Sequence, residues 1–412
     1  MDIQTARFID QWLGRPICRI LSGIEAVRGP FRSPAPGEPP RSILIIELSE
    51  MGSVILAYPM LCEAKRRYPK ADLYFLTFEK VKDAVKVLEI IPEEHILTLN
   101  DRSVWTLLQS AGGALLRMRR MRPDAVLDME LFARISAIFS YLSGSRRRVG
   151  FFRYRMEGLY RGNFLTHRVQ YSPYLHIAKN QLALLDALEE DTKKSPLVKR
   201  DYNGWKPALP RLRNSPQEES RIRGKLLTRC PELSGQARIV LLNPSGGELP
   251  IRAWPLEHYV TLTRLLLEED NLFVGVIGLK TESNWYEEMA RQIDSGRFFD
   301  FTGMTEDVRE VIQLFNCCQV LVTADSGPAH FAGLSGIHCV VFFGPETPVL
   351  YGPIGTNYTC LYSGLSCSPC LTAYNHRNTP CDGDNICVKD FKPHNVRSIV
   401  LTALNKASPD YS

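Results

Sequence analysis

Residues 321–344, LVTADSGPAHFAGLSGIHCVVFFG, have the types and order to hold an anion. The apolar start, ending at Ala324, reads as a buried parallel strand. Asp325, Ser326 and Gly327 turn the chain, and Pro328 suits the first position of a helix. The pattern predicts a short helix over 328–335 and a further strand over 338–343. Such a strand, turn and helix start leave backbone N–H groups and a positive dipole end at the carboxyl edge of a sheet, where phosphate is commonly bound. An ordinary capped turn between strand and helix would use the same residues. A second chemically able set is Cys367-x-x-Cys370, then Cys381 and Cys387. Four thiolates can hold a structural zinc or iron, although the second spacing is looser than in common zinc modules; unrelated free thiols are the alternative. The N-terminus does not read as a secretory signal, which favours a metal over a disulfide framework. The remaining cysteines show no pairing pattern and read as core residues.

Alternating strands and helices must position these groups. Strands are expected over 43–48, 71–76, 95–99, 125–129 and 147–151. Helices are expected near 53–67, 79–89, 103–121, 130–142 and 173–189. After a Pro-rich, charged stretch with one helix at 216–229, the alternation restarts. Strands follow at 238–242, 272–277, 298–301 and 319–323, with helices near 256–269, 283–294 and 306–317 and a last one near 393–406. That texture means parallel sheets covered on both faces. With 412 residues, two cores are the natural division. The expected boundaries are an N-terminal segment and linker over 1–41, a first domain over 42–195, a linker over 196–235, a second domain over 236–390 that includes the Cys-rich segment, and a helix and tail over 391–412. Two doubly wound domains facing a cleft would place a ligand at their carboxyl edges.

The apolar content of 44% and charged content of 23% are those of a globular protein, and no apolar run is long enough to span a membrane. The net charge of +5 is unevenly spread. Between residues 117 and 168 stand twelve Arg, no Lys and four acids, Asp124, Asp128, Glu130 and Glu157. Such a surplus suggests an anionic partner. Nucleic acid is disfavoured, because the Arg residues are not interleaved with aromatics in a known module. Near the N-terminus, Phe8, Ile9, Trp12, Leu13, Ile17, Ile20, Leu21, Ile24 and Val27 share one helical face, with Arg7, Arg15, Arg19 and Arg28 elsewhere. Pro16 would kink or split this helix. The segment reads either as an interfacial membrane helix or as a helix docked on the body. Five prolines over 29–41 mark a linker.

Taken together, several motifs resemble those of family-nine glycosyltransferases, the heptosyltransferase-like enzymes of lipopolysaccharide assembly. They are Asp325 to His330 (DSGPAH) with Phe343 to Pro348 (FGPETP), Asn243 to Gly247 (NPSGG) with Arg252 to Pro255 (RAWP), ILIIELSEMGSVILAYP over 43–59, and SRRRVG over 145–150. The resemblance covers about 42–405 in order. It implies a glycosyltransferase-B fold of two Rossmann-like domains, with a nucleotide-sugar donor in the C-terminal one and the acceptor in the N-terminal one.

By the same resemblance, Asn243, Ser245, Gly246, Arg252, Asp325, Ser326, Gly327 and His330 contact the donor. Amides at Gly327, Ala329 and His330 would take over what a divalent metal does elsewhere, so catalysis itself would need no cofactor. Arg252 before a Trp-Pro helix start can reach phosphates bidentately. Asp325 would bind sugar hydroxyls or cap its turn, and His330 would be a phosphate contact or a buried helix histidine. Glu282 matches an acid that holds the nucleotide ribose, although a first-turn Glu favoured by the helix dipole would look the same. The first turn departs from the family, which carries Gly-Asp with the Asp as base; here Ser53 follows Gly52. Ser53 needs a partner, and Glu50 three residues earlier supplies a carboxylate. Asp128 and Glu130 are less direct alternatives. Some relatives that modify autotransporters carry a four-cysteine iron site.

Two functions follow as expectations. One is an inverting glycosyltransferase using an ADP-heptose-like donor and a lipopolysaccharide-like or other cell-envelope acceptor, cytoplasmic, with peripheral contact to the inner membrane as a further expectation. The other is an inactive nucleotide-sugar-binding or assembly protein of the same fold.

Overall fold

The computed structural model describes residues 3–29, 38–131, 133–155, 158–233, 237–247, 249–374 and 377–406. Most of the proline linker, the acid Glu157 and the tail after 406 lie outside the described residues. Contacts divide the chain into two units, one comprising Met1–Pro207 with Thr372–Asn378 and the other Ala208–Leu371 with Thr379–Ser412.

The first unit opens with α1 (Ile3–Ile9), a π-turn (Asp10–Gly14) and α2 (Arg15–Arg28). Its sheet then builds from β1 (Ser42–Ile46), α3 (Met51–Leu56), α4 (Tyr58–Arg67), β2 (Asp72–Phe78), α5 (Lys82–Lys86), β3 (Ile96–Leu99), α6 (Val104–Met121), β4 (Ala125–Asp128), α7 (Arg134–Leu142), β5 (Arg147–Phe151), β6 (His167–Val169) and α8 (Ile177–Asp186). The helix expected over 53–67 is two helices. Pro59 lacks an N–H and occupies the first turn of α4, so the chain restarts there rather than continuing α3. Six parallel strands run in the order β3-β2-β1-β4-β5-β6. Ile43, Leu44, Ile45 and Ile46 of β1 are fully buried, as a central strand covered on both faces requires.

The second unit contains α9 (Pro216–Arg229), β7 (Arg238–Asn243), α10 (Leu256–Leu266), β8 (Leu272–Val276), α11 (Asn284–Ala290), β9 (Phe298–Asp300), α12 (Val308–Asn316), β10 (Val320–Ala324), α13 (Gly327–Ala332), β11 (His338–Phe343), α14 (Pro348–Tyr351), β12 (Tyr358–Tyr362), α15 (Ile386–Lys389) and α16 (Pro393–Lys406). The helix expected inside the linker is α9. A Ser215–Glu218 capping box starts it. It packs on α12, where Arg309 donates to Glu218 at 2.9 Å. The C-terminal α16 buries Val396, Val400, Ala403 and Leu404 in the same core as Trp254 and Tyr259. The strand order is β12-β11-β10-β7-β8-β9, again all parallel. Counted within its own unit, each sheet has the order 3-2-1-4-5-6, so each changes direction beside its first strand. Those switch points are β1/β4 and β7/β10.

The short edge strands β6 and β12 and the short α14 and α15 were not expected from the pattern. Edge strands lack a second neighbour, and the half-buried β12 shows no continuous apolar run.

Candidate active site

At the β7/β10 switch point the second unit gathers most of the expected donor residues into three linked groups. Asn243, at the end of β7, donates to Thr323 Oγ1 at 3.3 Å, and Thr323 Oγ1 lies 3.3 Å from Ser326 Oγ. Ser245 donates to Glu282 at 2.6 Å and accepts from Gly247 N at 3.1 Å. Glu282 also accepts from Leu279 N at 2.8 Å, so its carboxylate closes its own turn. A Cβ at Gly246 would stand 2.8 Å from Leu249 O and 3.0 Å from Ala253 N; the loop passes too close to itself there for any larger residue.

The third group is charged. Arg252 donates to the backbone oxygen of Asp325 at 3.1 Å and to Glu346 at 2.8 Å, with Nε 3.9 Å from Asp325 Oδ2. His330 is buried, its Nε2 3.9 Å from Asp325 Oδ1. The helix expected over 328–335 ends at Ala332, and the Ala329 amide donates to Ser326 O at 3.1 Å, inside the turn. Glu346 was quoted only as part of a motif; its role as partner of Arg252 was missed.

The β1/β4 switch point of the first unit has a different chemistry. Ser53 donates to Glu50 at 2.9 Å, and Arg377 grips both Glu50 oxygens, Nη2 at 3.1 Å. Gln181 of α8 donates to Ser53 O at 3.1 Å, fixing the turn. Deeper, Glu130 accepts from Leu48 N at 2.8 Å, and Arg161 bridges the Glu130 backbone oxygen, the Asp128 carboxylate (2.5 Å) and Ser136 Oγ (2.7 Å). Glu47, missed in the sequence reading, is buried beside them. Burial, reinforced by Glu130, Glu50 and Asp128, pushes Glu47 well above the usual carboxylate range. Burial likewise lifts Glu130 to about 7 and raises Asp128 against the pull of Arg161. Arg377 arrives from Thr372–Asn378, which belongs to this unit. No strand, helix or turn pattern there singled it out.

Two other expectations change. Part of the Arg surplus is internal, because Arg134, Arg148 and Arg161 are buried in ion pairs with Asp10, Glu25 and Asp128. Nor do Cys367, Cys370, Cys381 and Cys387 fit the expected metal. Among the described residues, no three His, Cys, Asp or Glu side chains are grouped to hold one. The thiols are near enough to act on one another, and burial first, then Cys370, Cys367 and Cys381, lifts Cys387 to about 11. Their individual settings differ, however. Cys387 is buried on α15, Cys370 accepts from Thr379 Oγ1 at 3.1 Å, and Cys367 and Cys381 are exposed.

Comparison with known proteins bears on the family and the fold. Residues 116–379 match the model of glycosyltransferase family 9 (heptosyltransferase). The curated lipooligosaccharide heptosyltransferase 2 of Haemophilus influenzae is 26% identical over 132 residues, 31% of this chain and 38% of that protein. The alignment thus spans well under two thirds of that relative. ADP-heptose LPS heptosyltransferase II of E. coli has a similar structure, with a TM-score of 0.67, 17% identity and coverage of 89% of this chain and 99% of the other. A family 9 glycosyltransferase from Veillonella parvula follows, with a TM-score of 0.66, 16% identity and coverage of 89% and 98%. These likenesses establish the fold. No helix among the described residues is long and apolar enough to cross a membrane.

Proposed function

Because the chain belongs to glycosyltransferase family 9, we propose that it transfers a heptose, with inversion, from an ADP-activated donor to a hydroxyl of a lipopolysaccharide-like or other cell-envelope glycan. The observation that carries this reading is Arg252, set by Asp325 and Glu346 at the switch point of the second unit. A cation there suits a nucleotide diphosphate, and hydroxyl and amide groups of Asn243, Ser245, Ser326 and the Gly327 turn surround it with polar partners. ADP-heptose is the donor in the name of the E. coli structural relative.

In the transfer, the acceptor oxygen attacks the anomeric carbon, the bond from that carbon to the diphosphate oxygen breaks, and the acceptor proton passes to a carboxylate. Arg252 and the amides at Gly327 and His330 meet the charge that develops on the leaving diphosphate. Glu50 takes the proton. Its side chain is 30% exposed, so a substrate hydroxyl can reach it, whereas Glu130 is only 6% exposed. Ser53 and Arg377 orient the Glu50 carboxylate. Glu130, lifted to about 7, is the second choice on its proton affinity.

Release of ADP from ADP-heptose in the presence of envelope glycan tests the reading. Glu50→Gln is expected to keep donor binding and to lower turnover about 10²–10⁴-fold, the usual contribution of a positioned base. Parent-like turnover in Glu50→Gln with a large loss in Glu130→Gln would move the base to Glu130. Donor binding by the parent without any transfer would favour the inactive binding protein.

A further inference from the structure

The N-terminal helix is held to the first unit by one face and presents a second apolar face outward. Its inner face carries Gly14, Cys18 and Leu21, with Cys18 and Leu21 packed on Ala137 and Phe164. A Cβ at Gly14 would meet Arg134 Cβ at 2.9 Å, so only glycine permits this approach. Asp10 accepts from the amides of Arg134 and Ile135 at 2.8 and 3.1 Å and from Arg134 Nη1 at 2.8 Å, capping α7 from outside. Glu25 accepts from Arg148 at 2.5 Å, and Ser22 Oγ receives the Asn163 amide at 2.8 Å. The docking is therefore polar as well as apolar along the whole helix.

On the opposite side Phe8 (62% exposed), Trp12 (64%), Ile20 (63%) and Val27 (70%) stand open, with Ile17 and Ile24 between them. The spacing of these six follows the helix, and the Phe8 and Trp12 rings lie 5.9 Å apart. A stripe of that length, rigidly mounted, is unusual on a surface meant for water. Charge identifies what covers it. Asp10 and Glu25 are the only acids over residues 3–29, and both are turned inward in ion pairs. Arg15, Arg19 and Arg28 are exposed. The outward surface of the helix is thus aromatic, aliphatic and cationic, with no acid. A second copy of the same helix would bring like charges together without a compensating carboxylate. An anionic bilayer surface suits it, since aromatic rings settle at the headgroup boundary while guanidinium groups meet lipid phosphates.

We propose that this helix is a membrane-docking surface for anionic lipid, holding the first unit in the plane of the bilayer interface without a spanning segment. The surface acts independently of sugar transfer, so its test needs no substrate. The full chain is sedimented with vesicles of phosphatidylcholine mixed with phosphatidylglycerol and with vesicles of phosphatidylcholine alone. Binding is expected to the mixed vesicles and to weaken with salt. In Arg15→Gln/Arg19→Gln it should weaken about fivefold for each arginine removed. The triple variant Trp12→Ser/Ile20→Ser/Val27→Ser should abolish binding with an unchanged melting temperature, since these side chains do not touch the core. Where that variant unfolds, the arginine pair decides alone. Failure of the parent to bind, equal binding to both vesicle types, or parent-like binding by the arginine variant would overturn the proposal. So would a dimer in solution that the serine variant dissolves, because a second copy would then occupy the face.

Discussion

The two switch points share one strand order and differ in charge. In the second unit Arg252 stands with hydroxyls, an amide and three acids, of which Asp325 and Glu346 hold it in place while Glu282 closes its own turn. In the first, the buried Glu47, Asp128 and Glu130 and the partly exposed Glu50 crowd one edge against Arg161 and Arg377. A crevice at the end of parallel strands offers only position; the side chains at strand ends decide whether it attracts an anion or holds a proton. Arginines also do different work in the two places. Arg161 compensates a charge that water cannot reach, whereas Arg252 keeps some exposure beside Asp325 and is the arginine proposed above to meet the donor.

The largest expected effect breaks the first site. Arg161→Met leaves the fully buried Asp128 uncompensated and should destabilise the first unit by about 3–5 kcal/mol. Amide hydrogen exchange in β1 and β4, compared with β7 and β10, would show whether the loss stays in that unit. Next, Arg252→Ala should weaken binding of ADP by about 1.5–3 kcal/mol, read by calorimetry, with a smaller effect on stability. If Arg252→Ala bound ADP like the parent, or Arg161→Met left exchange in β1 unchanged, the contrast between a structural and a ligand-facing arginine would fail.

The smallest effect concerns pH. Folded Glu130 keeps its proton to about 7, whereas its ordinary value is 4.5. The folded state therefore binds more protons in that interval, and stability is full below about 4.5 and falls as pH rises toward about 7. Glu130→Gln should flatten that fall. Glu218 runs the other way, since Arg309 lowers it from 4.5 to about 2. Its contribution is present above 4.5 and fades as pH drops toward 2, so Glu218→Gln should blunt acid loss in the second unit. Parallel pH profiles of exchange in the two sheets for both variants would contradict this opposition.

Much of this was legible in the chain because it was local. Apolar runs marked the central strands, and α6, α9, α12 and α16 were placed to within two residues by their periodicity and caps. The turns at Asn243 and Asp325 were readable because strand, turn and helix start follow one another directly. The Ser53–Glu50 contact, three residues apart, could be anticipated for the same reason. What was hidden is long-range. Arg377 meets Glu50 from more than three hundred residues away, out of a loop with no periodicity. Glu47 read as the end of a strand, and only β4 beside it brings Glu130 near. The four cysteines misled in the opposite direction, because close spacing in sequence did not bring their sulfurs into one coordination shell.

The inward ion pairs of the N-terminal helix have an evolutionary consequence. Asp10 completes the first turn of α7 and Glu25 balances an almost wholly buried Arg148. Deleting the helix would strand two guanidinium groups whose partners lie far away in sequence. Loss of this segment is therefore expected to accompany changes at 134 and 148, which would keep only backbone acceptors. Among relatives that retain it, residues 10 and 134, and 25 and 148, are expected to covary as pairs, while the outward stripe drifts freely among large apolar side chains.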